Sequence, residues 1–307
     1  MKGGKVVLRA PAKVNLLLRL LAARRDGYHE ICSVMQTVDV FDHLTVEPAD
    51  ALVLHCTGAE LPCDSRNLVI RAAHLLRKKY DVRLGCRLRL FKAIPVAAGL
   101  GGGSADAAAA LIGLNRFWRL HLDRTELAAC AALLGSDVSF FLTGGTALIT
   151  GRGEVIKPLP SLAGMKLVLV NPGFELPTPG VFARHREAVG LGLTSYSAVP
   201  SIRHLFPGHD PGLLADSLGN DLEGVATAMR PEIGACRRAL IQAGATAAVM
   251  TGSGPTVVGL FGDPVAAEQA RERLSHDFHW VRKACTVRTG IMEVTDACSG
   301  SKIEEVL

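Results

Sequence analysis

The sequence predicts an α+β protein of two domains. Three observations carry that reading. The chain has 307 residues, enough for two cores of ordinary size. Strand-like and helix-like periodicities interleave along it. Its second half follows a β-α-β-β-α-β order, which suggests an open-faced α+β sandwich. The boundary is expected at the Pro158–Gly164 stretch, giving domains of residues 1–160 and 161–307.

The first half opens on the alternating run "KVVLRAPAKVNLLLRLL", which Pro11 is expected to interrupt. A turn at "DGYHE" (26–30) precedes two strand-like runs, "ICSVMQTVDV" and "DHLTVEP". Residues 67–80 have helical spacing through Leu68, Ala72, Leu75 and Leu76. "CRLRLFKAI" (86–94) alternates as a strand and runs into a glycine-rich loop. A helix follows to about Trp118, with Ala107, Leu111, Leu114 and Trp118 on one face. "RTELAACAALLG" is a further helix closing at Gly135, and "GTALITGRGEVIKPL" a strand-turn-strand. Beyond the boundary we expect strands at 165–171, 246–251, 256–261 and 280–288, and helices near 211–228, 231–243 and 264–275. Pro231 and Gly244 bound the second of these helices.

Composition narrows the function. Hydrophobic residues at 49% and charged residues at 21% fit a folded chain without long disordered segments. A net charge of +5 suits an anionic small molecule, and no Lys/Arg run is dense enough to indicate nucleic acid. The closest approach, Arg24–Arg25, is equally a solvated turn. Eight cysteines without a Cys-x-x-Cys pair make a zinc site of familiar spacing unexpected and read as reduced thiols. No stretch approaches the roughly 18 uninterrupted apolar residues of a membrane span. Arg19 also breaks the one apolar run that resembles a secretory leader. A cytoplasmic location is therefore expected.

The stretch "PVAAGLGGGSADAAAAL" (95–111) poses the chemical question. It lacks the lysine of a P-loop, and Ser104 stands where a dinucleotide fingerprint needs its third glycine. Gly99, Gly101, Gly102 and Gly103 leave main-chain amides unscreened, just before a helix whose first turn carries partial positive charge. Ser104 is expected as its N-cap. Such a loop holds a polyphosphate, or is simply a glycine-rich turn.

With "PAKVNL" (11–16), "DGYHE" (26–30), "GSDVSFF" (135–141) and "TGSGPT" (251–256) in this order, the chain resembles the small-molecule kinase superfamily of galactokinase, homoserine kinase, mevalonate kinase and phosphomevalonate kinase. The likeness runs from about Val6 to Val287. "PAKVNL" with "DGYHE" favours the branch that uses ATP to phosphorylate a cytidine diphosphate polyol in non-mevalonate isoprenoid biosynthesis. The resemblance implies an N-terminal domain like ribosomal protein S5 domain 2 and a ferredoxin-like C-terminal domain. It also implies ATP with Mg2+ and no nucleic-acid partner.

By this resemblance Asp137 is the base and Lys13 its cationic neighbour. An exposed helix-end acid and a surface lysine are the plainer alternatives. Pro95, Val96, Ala97, Ala98, Gly99, Leu100, Gly101, Gly102, Gly103, Ser104 and Ala105 would surround the ATP phosphates. Asn15 would orient the acceptor, Tyr28 and His29 would bind cytosine, Phe182 would add a second aromatic wall, and Thr178 would touch substrate. Phe182 is equally readable as core. The superfamily commonly has alanine at 136 and proline at 139, where this chain has Ser136 and Ser139. Another kinase of the superfamily, or a non-catalytic nucleotide- or RNA-binding protein, is the competing reading. The metal ligands and the oligomeric state are not legible.

Overall fold

Two long strands organise the first half. β1 (Val6–Ala23) and β2 (His29–Glu47) pair antiparallel from Val6 opposite Val46 to Ala23 opposite His29. The structure, a computed structural model, describes residues 4–200, 202, 215 and 217–294. Pro11 does not interrupt β1. The register shifts between Pro11 and Ala12, a bulge that accommodates a residue with no N–H to give to the ladder. The two strand-like runs expected after the turn are likewise one strand, β2.

β3 (Leu52–Thr57) lies parallel to β4 (Cys86–Phe91), and β4 pairs with β2. The sheet runs β12-β1-β2-β4-β3, where β12 is Met292–Glu293, with β5 (Thr146–Gly151) added to β2 and β6 (Val155–Pro158) to β5. The second half contributes β8 (Gly219–Asn220) and β12 (Met292–Glu293), both paired with β1. Helices α1 (Leu68–Lys79), α2 (Gly102–Phe117), α3 (Arg124–Leu134) and α4 (Ser136–Thr143) pack together, with α2 against β1 and β2. The expected inner face of α2 is buried at Ala107, Leu111, Leu114 and Trp118. Small alanines let this helix lie close to the sheet.

The second sheet runs β11-β7-β10-β9, all antiparallel, from β7 (Lys166–Asn171), β9 (Ala247–Met250), β10 (Val257–Phe261) and β11 (Trp280–Cys285). Taken in chain order this is 4-1-3-2, the sandwich that the element order anticipates. Helices α7 (Glu232–Gln242) and α8 (Pro264–Leu274) pack on it, while α5 (Thr178–Gly190) meets α6 (Glu223–Met229). The helix expected near 211–228 is corrected. Residues 211–214 and 216 lie outside the described residues, and α6 starts only at Glu223, after β8. The last strand ends at Cys285 rather than 288, and β3, α4 and α5 were not expected.

Candidate active site

The glycine loop connects β4 to α2 by a backbone that ordinary residues resist. Gly99 and Gly101 have φ of 77° and 71°. A Cβ on Gly99 would stand 2.3 Å from the carbonyl oxygen of Thr251, so the "TGSGPT" turn braces the loop from behind. Gly101 is the N-cap of α2, and no side chain caps the helix. Ser104 is therefore not the N-cap, contrary to expectation. The left-handed turn at Gly101 starts the helix three residues earlier and leaves Ser104 inside its first turn. The amides of Gly102, Gly103 and Ser104 thus have no intrahelical acceptor, and all three residues face a cleft of about 860 Å³. An anion fits there.

Pro95 to Gly99 and Gly101 also line this cleft, whereas Leu100 and Ala105 are buried in the core. The Leu100 carbonyl accepts from the backbone N–H of Lys13 at 2.9 Å, which fixes the loop to β1.

Lys13 and Asn15 share one face of β1, two residues apart. Lys13 is 3% exposed, and its Nζ donates to Oδ1 of Asn15. Asn15 Nδ2 donates to Ser33 Oγ at 2.7 Å, and its backbone N–H to Thr251 Oγ1 at 2.8 Å. Both rotamers are set by this network. Burial pushes the Lys13 pKa down, and the charge of Asp137 acts the other way. Asp137 stands in the first turn of α4, a helix sequence reading had missed, and lines the same cleft. Residues 124 positions apart are thus within electrostatic reach.

The cleft's other end is aromatic. Tyr28 is 57% exposed on the 24–28 turn, His29 starts β2, and Phe182 comes from α5. The His29 and Phe182 ring centroids are 5.3 Å apart. His29 is buried and its Nε2 has no hydrogen-bond partner. Its pKa is lowered by burial, then by the nearby charges of Arg186 and His185, which favours a neutral ring. Thr178 begins α5, lines the cleft, and shares a 2.7 Å hydrogen bond with Ser253.

Sequence reading missed a buried charge cluster beside the glycine loop. Lys92 Nζ pairs with Asp42 and, at 2.6 Å, with Oδ2 of Asp106. Burial alone would lower the lysine's pKa, but the two carboxylates outweigh it and the shift is upward. Asp106 is pushed up to about 8, by burial first and then by Asp42 against the pull of Lys92. The Asp106 carboxyl therefore holds its proton to a higher pH than an ordinary aspartate, beside the anion site. A signal existed: Asp106 is the one charge in the alanine run of α2, and buried charges come paired. Leu61, Pro62, Asn67 and Leu68, also unforeseen, wall the cleft near Gly103, where a Cβ would meet Leu68 at 3.7 Å.

Residues 67–145 match the GHMP kinases N-terminal domain and residues 198–279 the GHMP kinases C-terminal domain. A 4-diphosphocytidyl-2-C-methyl-D-erythritol kinase of Synechococcus sp. (strain JA-2-3B'a(2-13)) is 41% identical, covering 95% of this chain and 97% of its own. The enzyme of that name from Pelotomaculum thermopropionicum is 46% identical over 86% of this chain and 92% of its own. A crystal structure of 4-(cytidine 5'-diphospho)-2C-methyl-D-erythritol kinase superposes with a TM-score of 0.78 at 34% identity, over 91% of this chain and 98% of that one. The homoserine kinase of Cytophaga hutchinsonii, at 18% identity and a TM-score of 0.71 over 94% of this chain and 97% of its own, shares the fold. Among the described residues no helix is long and apolar enough to cross a membrane.

Proposed function

The chain belongs to the GHMP kinase family, and on that premise we propose how its residues phosphorylate the 2-hydroxyl of 4-diphosphocytidyl-2-C-methyl-D-erythritol with ATP, in non-mevalonate isoprenoid biosynthesis. One observation carries the reading: a buried lysine and a carboxylate face the same cleft as the uncapped N-terminus of α2. The amides of Gly102, Gly103 and Ser104 hold the ATP phosphates, and the 95–101 loop shapes the approach. Asp137 accepts the proton of the 2-hydroxyl as its oxygen attacks the γ-phosphorus and the bond to ADP breaks. Lys13 offsets the negative charge that gathers on the attacking oxygen and the moving phosphoryl group. Asn15, fixed by Ser33 and Thr251, orients Lys13 and the acceptor.

The neutral His29 offers its free Nε2 to the cytosine edge, while Tyr28 and Phe182 supply stacking faces and Thr178 a hydroxyl. Magnesium bound with the triphosphate would screen phosphate charge. The Ser104 hydroxyl, in the first turn of α2 at the cleft, is an oxygen suited to it. The division into domains at about residue 160 and the cytoplasmic location belong to this proposal; seven described cysteines, all unpaired, support the latter.

Phosphorus NMR of ATP with each acceptor tests the assignment. The γ-phosphate is expected to move to 4-diphosphocytidyl-2-C-methyl-D-erythritol and not to mevalonate or homoserine. Transfer to either control at a comparable rate would refute it.

A further inference from the structure

The acceptor carries two phosphates between its base and its alcohol, and a site for them follows from the cleft's cations. Five lysines and arginines line the cleft. Lys13 serves the transfer itself. Lys92 is enclosed by Asp42 and Asp106, and Arg66 pairs with Asp64 at 2.7 Å beside Asn67. Arg152 and Arg186 remain, and both belong to the aromatic end.

Their placement is specific. Arg152 sits in the turn between β5 and β6, its guanidinium carbon 5.1 Å from the centroid of the Tyr28 ring. The next residue, Gly153, packs so closely that a Cβ there would meet Ser136 at 3.2 Å, and Ser136 adjoins Asp137. Arg152 therefore stands between the aromatic wall and the helix of the base. Arg186 lies one helical turn beyond Phe182 on α5, so the two share a face. Its Nη2 donates to the Gly27 carbonyl at 2.6 Å, and no described carboxylate forms an ion pair with it. Asp26 and Glu154 lie within electrostatic reach of Arg152, but each is shared with Arg24.

We propose that Arg152 and Arg186 form a clamp for the pyrophosphate of the acceptor, so that the cleft selects a nucleoside diphosphate conjugate over a bare nucleoside. The inference rests on the reading of the aromatic end as the cytidine site. Planar guanidiniums suit phosphate oxygens, and each is pre-positioned by a ring or a carbonyl before ligand arrives. Tyr28 and Gly27 hold the arginines as much as the arginines hold the turn.

Calorimetric titration of CDP and of cytidine, with saturating ADP present, tests this in wild type, Arg152→Gln and Arg186→Gln. Wild type is expected to bind CDP about tenfold or more tightly than cytidine, and each variant to shrink that ratio several-fold. The ratio is the readout, because a general loss of fold weakens both ligands together. An unchanged ratio in both variants, or equal wild-type affinity for CDP and cytidine, would overturn the clamp while leaving base recognition intact. Failure of wild type to bind either ligand would overturn the cytidine reading itself.

Discussion

Asn15 and Thr251, 236 positions apart, are joined twice: the Asn15 backbone N–H donates to Thr251 Oγ1 at 2.8 Å, and that hydroxyl donates to Asn15 Oδ1 at 3.4 Å. The same Oδ1 receives Lys13. The turn after β9 thus sets the position of a lysine on β1, which couples the second sheet to the chemistry of the first. Thr251→Val keeps the shape and removes the hydroxyl. Leaving a buried N–H unpaired is expected to cost about 1–3 kcal/mol of stability. Lys13 should be misplaced enough to lower kcat about tenfold. Urea unfolding and steady-state kinetics check both, and unchanged kcat would detach this turn from catalysis.

Gly103→Val isolates the anion site. A side chain there meets only Leu68 at 3.7 Å and stands at the cleft, in a residue with ordinary helical backbone. The KM for ATP is expected to rise about tenfold or more with little change in melting temperature, because valine screens the amides. The obvious alternative, Gly101→Val, is a poorer probe. Its Cβ would stand 2.9 Å from Phe141 and 3.0 Å from Lys13 at a left-handed φ, so folding and catalysis would suffer together.

Asp106 predicts a pH dependence of stability. Its pKa in the fold, about 8, lies above the ordinary 3.8, so the native state holds a proton that the unfolded chain has lost across that window. Stability must fall as pH rises from about 4 through about 8. Between pH 6 and 8 the loss is roughly 2 kcal/mol, and Asp106→Asn should abolish that slope. Urea denaturation at the two pH values decides it; an equal slope in the variant would mean that Asp106 is ionised throughout.

Lys13 predicts a pH dependence of rate. The proposed mechanism uses the charge on this lysine, and burial holds its pKa below the ordinary 10.5. Turnover is lost as pH rises through the lowered value. Whatever activity survives in Lys13→Arg should lack that alkaline limb, since a guanidinium stays charged. A limb of the same midpoint in both proteins would assign it to another group.

The sequence was most legible where one period dominates. α1, α2, α7 and α8 carry their apolar residues at helical spacing, and β4 alternates cleanly. It was least legible where local signals conflict. α5 begins Thr178-Pro179-Gly180, which reads as a turn, and Gly135 both ends α3 and starts α4 with no side-chain cap for the latter. Motifs marked the glycine loop, Lys13 and Asp137, which the fold brings to one cleft. The Asp42–Lys92–Asp106 cluster and the two arginines could not, because they are assembled from strands, turns and helices far apart in the chain.

The central claim is that Asp137 takes the proton from the attacking alcohol in a cleft where ATP is held by other groups. Single-turnover phosphoryl transfer in Asp137→Asn, with ATP affinity measured on the same protein, tests it most directly. Transfer is expected to slow by about 10²–10⁴-fold while the ATP dissociation constant stays within about threefold. Transfer at the wild-type rate would remove Asp137 from the reaction.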